Sequence, residues 1–217
     1  MNALCSTLWK AIVVMGFAFY APAWAAESPM EVIRTTIEKA TAVLQNPTGQ
    51  GTEHFQVRIE KVRAVVEPQF DAQEVAKRTL GSYWQERTEE ERQQFISLFT
   101  ELVQKTYAGT LDRYNADVKF YYDQERIDDK FAEVDTRIFD PGKNKAYAIT
   151  YKLHQKNDKW LIYDIVAENV SMVRNYRNQF DRILSKSSYQ DLVQTLQTKI
   201  KELDVAPQPT VNNASAS

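Results

Sequence analysis

The chain is poor in the residue types that carry most enzyme chemistry. It has one cysteine, Cys5, and only two histidines, His54 and His154, which lie far apart in the sequence. Thiolates and imidazoles are the usual ligands of zinc and the usual nucleophiles and bases of hydrolases, and here they are not clustered. A lone thiol also excludes an internal disulfide. We therefore expect no metal site and no catalytic residue, and we expect both histidines to be solvated.

Glycine is also scarce, with 6 residues in the whole chain. A loop that cradles phosphate needs glycines at fixed spacing, because backbone N–H groups have to approach the nucleotide closely. The chain contains no such motif, and it also lacks G-x-S-x-G and H-E-x-x-H. The sequence therefore predicts a protein that uses no cofactor.

Charges of the two signs nearly balance. There are 27 Lys and Arg against 29 Asp and Glu, and no basic block interrupts the central region. This argues against a nucleic-acid partner and against a polybasic patch for lipid surfaces. Two groups of cations on predicted helices could meet phosphate or a partner protein, although a solvated helix face is the simpler interpretation. They are Lys77 and Arg78, and Arg174, Arg177 and Arg182.

Residues 1–25 have the pattern of a secretory signal peptide. Lys10 closes a short basic stretch, residues 11–22 are almost wholly apolar, and Ala23-Trp24-Ala25 is a cleavage motif. The apolar run is short for a bilayer span, which makes an uncleaved anchor the second interpretation. Residues 26–205 suit a single domain, and residues 206–217, which are poor in apolar side chains, are predicted to be disordered.

Apolar residues recur at helical spacing over the first half of the chain. Asp71 with Glu74, and Thr88 with Glu91, have the spacing of capping boxes that open two of these helices. Two more helical patterns close the chain. The stripes are Met30, Ile33, Ile37, Ala40 and Leu44; Phe55, Ile59, Val62 and Val66; Phe95, Phe99 and Leu102; Val173, Tyr176, Phe180 and Leu184; and Leu192, Leu196, Ile200 and Leu203.

Between these helices the period changes to two, which is typical of strands. Four such segments with short turns predict an antiparallel meander. The alternating residues are Val118, Phe120 and Tyr122; Ala132, Val134, Thr136 and Ile138; Tyr147, Ile149, Tyr151 and Leu153; and then residues 160–166. Four helices, four strands and two helices predict an α+β fold with the helices on one side of the sheet.

The last of these strands is apolar on both faces. Strict alternation places Trp160, Ile162 and Val166 on one face and puts Ile165 on the other. A strand of this kind needs cover on both sides, and its neighbours are also rich in large apolar residues. This excess of apolar surface suggests an interior that holds an apolar ligand.

Two polar residues in this region have structural interpretations. Asp164 lies between apolar residues and needs a partner if it is buried, for which Arg174, Arg177 or Lys77 are candidates. Ser171 precedes a helical pattern, and we expect an N-cap rather than a nucleophile.

Three ordered blocks of the chain resemble the MlaC, or toluene-tolerance, family of periplasmic phospholipid-binding proteins. Where that family usually has glycine, this chain has Asn169, and asparagine tolerates positive φ. The first block matches at Trp160, Ile162, Tyr163, Asp164, Ile165, Glu168, Val170, Ser171, Tyr176, Arg177 and Phe180. The others match at Phe70, Asp71, Ala76, Lys77, Arg78, Leu80, Gly81, Tyr83 and Trp84, and at Phe95, Phe99, Leu102, Thr106, Tyr107, Ala108 and Gly109.

The resemblance implies an NTF2-like curved antiparallel sheet of about four strands, wrapped by helices, with a helical subdomain that encloses an apolar pocket. It also implies a soluble phospholipid carrier in the periplasm that docks transiently on an outer-membrane lipoprotein–porin complex and on an inner-membrane ABC transporter complex. The expected pocket residues are Leu80, Tyr83, Phe95, Phe99, Leu102, Phe120, Val134, Ile138, Ile149, Tyr151, Ile162, Val166, Val170, Val173, Tyr176 and Phe180.

Two other classes of protein fit the same sequence. One is an NTF2-like enzyme with Asp164 as acid or base, against which the scarcity of histidine and cysteine counts. The other is a module or holdase that binds proteins, which would expose its apolar surface where a lipid carrier encloses it.

Overall fold

The computed structural model describes residues 27–45, 52–112 and 117–205. The predicted signal peptide, the predicted disordered tail and the side chain of His54 lie outside the described residues. Within these ranges no helix combines the length and the apolarity that crossing a bilayer requires.

The structure confirms all six predicted helices. Asp71 Oδ1 accepts a hydrogen bond from Glu74 N, and Thr88 and Glu91 exchange two hydrogen bonds as a capping box. The helices are α1 Pro29–Gln45, α2 Thr52–Val66, α3 Ala72–Leu80, α4 Glu89–Asp112, α5 Met172–Leu184 and α6 Tyr189–Val205, with 3-10 turns at Glu67–Gln69 and Gly81–Glu86.

The sheet is an antiparallel meander in chain order, as predicted, with a short fifth strand at its end. Glu168 and Asn169 both have positive φ, at 48° and 67°, and form the tight turn that folds the fifth strand back. Asn169 therefore adopts the conformation expected of it. The strands are β1 Lys119–Asp128, β2 Phe131–Asp140, β3 Lys145–Lys156, β4 Lys159–Ala167 and β5 Val170–Ser171.

A bulge in β4 corrects the predicted orientation of its last residues. Leu153 lies opposite Ile162, but Lys152 lies opposite Asp164, so that Tyr163 is an extra residue in the ladder. After such a bulge the alternation of faces shifts by one residue. Ile165 therefore shares the face of Trp160 and Ile162, and Val166 lies on the opposite face beside Thr150.

The prediction that all helices lie on one side of the sheet is wrong. On the face that we call the inner face, Val32 and Ile33 of α1 pack with Ala132, Val134, Leu153, Trp160 and Ile162. On the other, outer face, the Arg78 guanidinium of α3 lies 4.0 Å from the centre of the Tyr163 ring. Because β4 is apolar on both faces, it is covered from both sides.

Asp164 joins the sheet to α5, but through different partners from those predicted. It is 5% exposed and accepts hydrogen bonds from Ser171 Oγ at 2.6 Å and from Val173 N at 3.0 Å. None of the three predicted cations is its partner. Ser171 is the N-cap of α5, as predicted, and accepts a hydrogen bond from Arg174 N.

A second buried carboxylate, Asp71, joins α3 to the sheet. Its Oδ2 lies 2.8 Å from Lys156 Nζ and 3.1 Å from His154 Nε2. The prediction that His154 is solvated is therefore wrong, since its side chain is only 15% exposed. Burial alone raises the pKa of Asp71, but the hydrogen bond from Lys156, the N-cap bond and the neighbouring cations outweigh it and lower the pKa below 3.8.

Replacing Ser171 by Ala should destabilise the fold by about 1–3 kcal/mol, because the change removes the α5 cap and leaves a buried Asp164 oxygen without its donor. Urea denaturation measures this loss. Ser185→Ala at the other end of α5 is the control, since Ser185 is exposed and its hydroxyl makes one long bond of 3.4 Å. Equal stabilities of the two variants would contradict the role given to Ser171.

Stability should fall as the pH drops through the carboxyl range, because Asp71 has a lower pKa in the folded than in the unfolded state. Its contribution is complete above the ordinary Asp pKa and is lost as protons bind below it. Asp71→Asn should be less stable than the parent at neutral pH, and the difference should shrink towards about pH 3. Chemical denaturation across this range tests the prediction, and parallel curves would contradict it.

Candidate functional site

The inner face of the sheet has a closed half and an open half. In the closed half, Ala132, Val134 and Leu153 are at most 3% exposed beneath α1. In the open half, at the other end of the strands, apolar side chains keep accessible surface although several lie on the central strands β2 and β3. Its half-buried members are Phe120, Tyr122, Ile138, Tyr147, Ile149, Tyr151 and Ile165.

Tyr151 shows that this surface reaches the interior. Burial raises the pKa of its hydroxyl to about 12, as expected of a phenol that protein atoms surround. The side chain is nevertheless only half-buried by its accessible surface. Tyr151 pairs with Val134 across the sheet and packs against the closed half. Its ring therefore forms the inner edge of the apolar surface in the open half.

Helix α1 lies over the strands, and α2 packs against α1. α1 packs along β1 and β2, and its Arg34 guanidinium lies 4.5 Å from the centre of the Tyr122 ring. The main packing partners of α2 are α1, the following 3-10 turn and α4 rather than the strands. Ile59 and Val62 of α2 are buried, at 7% and 6% exposed. Because α2 packs on α1 and α4 rather than on the strands, the apolar side chains of β3 in the open half keep accessible surface.

A short turn forms the rim of the open half. Glu168 N donates to Ala148 O, and Glu168 Oε1 accepts from Ala148 N, so that the turn is fastened to β3 at both groups. Val170 follows the turn and pairs with Ala167, which pairs with Ile149 of the inner face, so that all three share that face. Val170 is 61% exposed. Ala167 lies between Val170 and half-buried Ile149, and the three side chains continue the apolar surface outward to solvent.

Seven of the residues expected in the pocket pack against one another in a separate helical core. The Phe99 ring centre lies 4.9 Å from that of Tyr176, and the Phe95 ring centre lies 5.6 Å from that of Phe180. All seven are at most 8% exposed, so that contacts among the helices cover nearly all of their surface. They are Leu80, Phe95, Phe99, Leu102, Val173, Tyr176 and Phe180.

The structure divides the remaining expected residues among several places. Phe120, Ile138, Ile149 and Tyr151 lie together in the open half, and Val170 lies at its rim. Val134 and Ile162 belong to the closed half. Val166 lies on the outer face, and Tyr83 is half-buried in the 3-10 turn after α3, in neither core.

Sequence reasoning did not place Tyr122, Tyr147 or Ile165 in the site. Tyr122 and Tyr147 were recognised as members of alternating strands, and their register with Thr136 and Ile138 adds them to the open half. Ile165 was assigned to the wrong face, because the bulge that reorients it leaves no periodic signal.

A metal site and a second ligand groove are the other possibilities in the part of the chain that the structure describes. No group of three His, Cys, Asp or Glu side chains is arranged to hold a metal ion in that part of the chain. A groove of about 430 Å³ between α4 and α6 is open to solvent and lined mainly by glutamines around Tyr189. Its amide lining does not suit an apolar ligand.

Comparison with known proteins agrees with this architecture. A curated relative, the intermembrane phospholipid transport system binding protein MlaC of Haemophilus influenzae, is 25% identical over 98% of this chain and all of its own length. A phospholipid-binding protein from Ralstonia solanacearum, solved in complex with a phospholipid, is 24% identical and superposes with a TM-score of 0.69 over 80% of this chain and 97% of its own. The model of the MlaC protein family matches residues 34–198, and the chain belongs to that family.

Proposed function

We propose that the protein is a periplasmic carrier that holds phospholipid with its acyl chains between the open half of the inner face and helices α1 and α2. The observation that carries the proposal is the group of apolar side chains in the open half that stay only half-buried although Ile138, Ile149 and Tyr151 lie on the central strands. Family membership supports it. The Haemophilus relative is a binding protein of a phospholipid transport system, and the Ralstonia protein was solved with a bound phospholipid, which also supports it.

The energetics of acyl chains explain why such a carrier is needed. A diacyl lipid exposes on the order of 30 methylene groups, and each costs about 0.8 kcal/mol in water. The total is roughly 25 kcal/mol, which prevents a free lipid from crossing an aqueous gap at a useful rate. An apolar cavity removes most of this cost, so that pocket and bilayer become nearly equivalent for the chains.

Within the proposed site the residues have two roles. The acyl chains contact Phe120, Ile138, Ile149 and Tyr151, while the polar head group stays at the rim near Val170. The closed half, with Val134 and Ile162, ends the cavity. The seven residues of the helical core support the pocket from behind and do not contact the acyl chains.

The wider setting follows from the same proposal. Residues 1–25 direct secretion to the periplasm, and the lipid-binding domain lies within residues 26–205. The partners are an outer-membrane lipoprotein–porin complex and an inner-membrane ABC transporter complex. Transfer between them needs no covalent step, and we assign no catalytic role to any side chain.

A charge in the open half should empty the site. Ile149→Glu places a carboxylate against acyl chains, at a cost on the order of several kcal/mol unless it protonates or reaches water. We expect a folded variant that purifies with at least tenfold less phospholipid, measured by lipid extraction and mass spectrometry. Ala146→Glu is the control, because Ala146 is exposed on the outer face of the same strand. Full lipid content in Ile149→Glu would overturn this placement of the acyl chains.

The rim gives a second test. Val170→Glu should fold normally, since Val170 is 61% exposed, but should purify with little or no phospholipid and fail to transfer it between vesicles. Val170→Leu keeps the apolar contact and should remain loaded. If the Glu variant keeps its lipid, Val170 is ordinary surface and the rim lies elsewhere.

A further inference from the structure

A strip of basic side chains on α3 and α5 plays no part in the apolar site. We call Lys77, Arg78, Arg174 and Arg177 the basic strip. Glu74 holds two of them together, with its carboxylate 2.8 Å from Arg78 and 3.7 Å from Lys77. All four keep accessible surface, and Arg174 and Arg177 are exposed.

Arg177 is held in place by the backbone of Gly81. A Cβ atom at Gly81 would lie only 2.9 Å from Arg177 Nε and 3.0 Å from its Nη2, and Gly81 has a φ of +59°. The guanidinium therefore rests on the backbone where α3 ends, and helix carbonyls there favour positive charge. Gly81 N donates to Lys77 O, which brings this end of the strip next to Lys77.

Arg174 lies one turn before Arg177 on α5, so that the two side chains are neighbours on the helix surface. Among the described residues, neither has a carboxylate within 4.0 Å, and Asp181, one turn after Arg177, forms no ion pair with it. Buried Asp71 is already occupied by Lys156 and His154. Glu74 is therefore the one carboxylate in the strip, and it pairs only with Lys77 and Arg78. The charges of Arg174 and Arg177 are left to interact with solvent or with a binding partner.

An exposed aromatic ring adjoins the strip. Phe131 is 48% exposed, and its ring centre lies 5.9 Å from the Arg78 guanidinium and 6.2 Å from the Tyr163 ring, edge to face. Because contact with these two groups already holds the ring in one orientation, little side-chain entropy would be lost when a partner binds it. Aromatic and arginine side chains fixed in this way are typical of the residues that dominate binding at protein interfaces.

We propose that the basic strip and Phe131 form a docking surface for an acidic patch on a protein that exchanges lipid with this carrier. A protein fits better than an anionic membrane, because the hairpin tip beside Phe131 carries Asp128 and Asp129 with one cation, Lys130. A protein can place an acidic patch opposite the strip and neutral or basic side chains opposite the tip, whereas a uniform surface of anionic lipids repels the tip. The identification of this partner as a lipid-exchanging protein rests on the proposed function. The strip lies on the helices that cover the outer face of the sheet, whereas the open half lies on the inner face.

Charge reversal tests the docking surface. Lys77→Glu with Arg174→Glu changes the net charge by the same amount as Lys199→Glu with Lys201→Glu, two exposed positions on α6. Arg177 is left intact because it packs on Gly81. Binding of each lipid-loaded protein to the two detergent-solubilised partner complexes is measured by biolayer interferometry at about 50 and 300 mM salt. Vesicles with and without phosphatidylglycerol are the membrane probe.

The expected result is binding to at least one complex weakened about tenfold in the strip variant, with a flatter salt dependence, and little change in the α6 variant. Phe131→Ala should weaken the same complex at both salt concentrations. Unchanged binding, equal loss in both double variants, or a loss confined to anionic vesicles would overturn the proposal.

Lipid content, measured in every sample, separates this proposal from the carrier function. A parent protein that purifies without phospholipid would contradict the carrier function, whatever its binding to the complexes. A strip variant that loses its lipid would overturn the docking surface, because it would place these cations at the pocket. A loaded parent that binds neither complex would overturn the docking surface alone.

Discussion

Strand β4 carries apolar side chains on both faces, and each face is covered by a different set of helices. Trp160, Ile162 and Ile165 face α1 across the inner side, while Tyr163 packs against Arg78 and the helical core on the outer side. The bulge at Tyr163 lets one strand serve both layers, because it places Asp164 where Ser171 and the start of α5 can reach it. This joint and the contacts of Asp71 with Lys156 and His154 hold the helical layer on the sheet at two places.

The two layers are packed to different extents, and this difference matters for function. In the helical core, rings of Phe95, Phe99 and Phe180 meet edge to face or stacked within about 6 Å, as in an ordinary protein interior. On the inner face, α1 closes only one half of the sheet. An apolar space costs stability roughly in proportion to its volume, about 24 cal/mol per Å³ in one well-studied series. The tightly packed helical layer offsets this cost, and a bound lipid would remove much of it.

Much of the fold could be predicted from local physical chemistry. Helical stripes and capping boxes depend on residues three or four apart, so that Asp71 with Glu74 and Thr88 with Glu91 were readable in the sequence. The bulge was not, because an inserted residue changes faces without changing composition, and Val166 was misassigned as a result. The partners of Asp164 and His154 were also missed. Both are set by contacts that only the assembled layers bring together, at Ser171 and Asp71. For the same reason, helical stripes such as Phe95 and Phe99 could not be separated from cavity-lining residues by spacing alone.

A lipid carrier has to release its cargo, which limits how much its own pocket can contribute to direction. If acyl chains are nearly as stable in the cavity as in a bilayer, binding energy in the pocket favours neither membrane. Direction then has to come from the docked partners, through differential affinity for loaded and empty carrier or through ATP hydrolysis. Such partners need an interface that forms quickly and dissociates quickly, which favours steering by exposed charge over burial of a large apolar area. Accessible apolar side chains lie on the inner face, and Arg174 and Arg177, which pair with no described carboxylate, lie on α5 at the outer face. Different residues can therefore meet the two requirements.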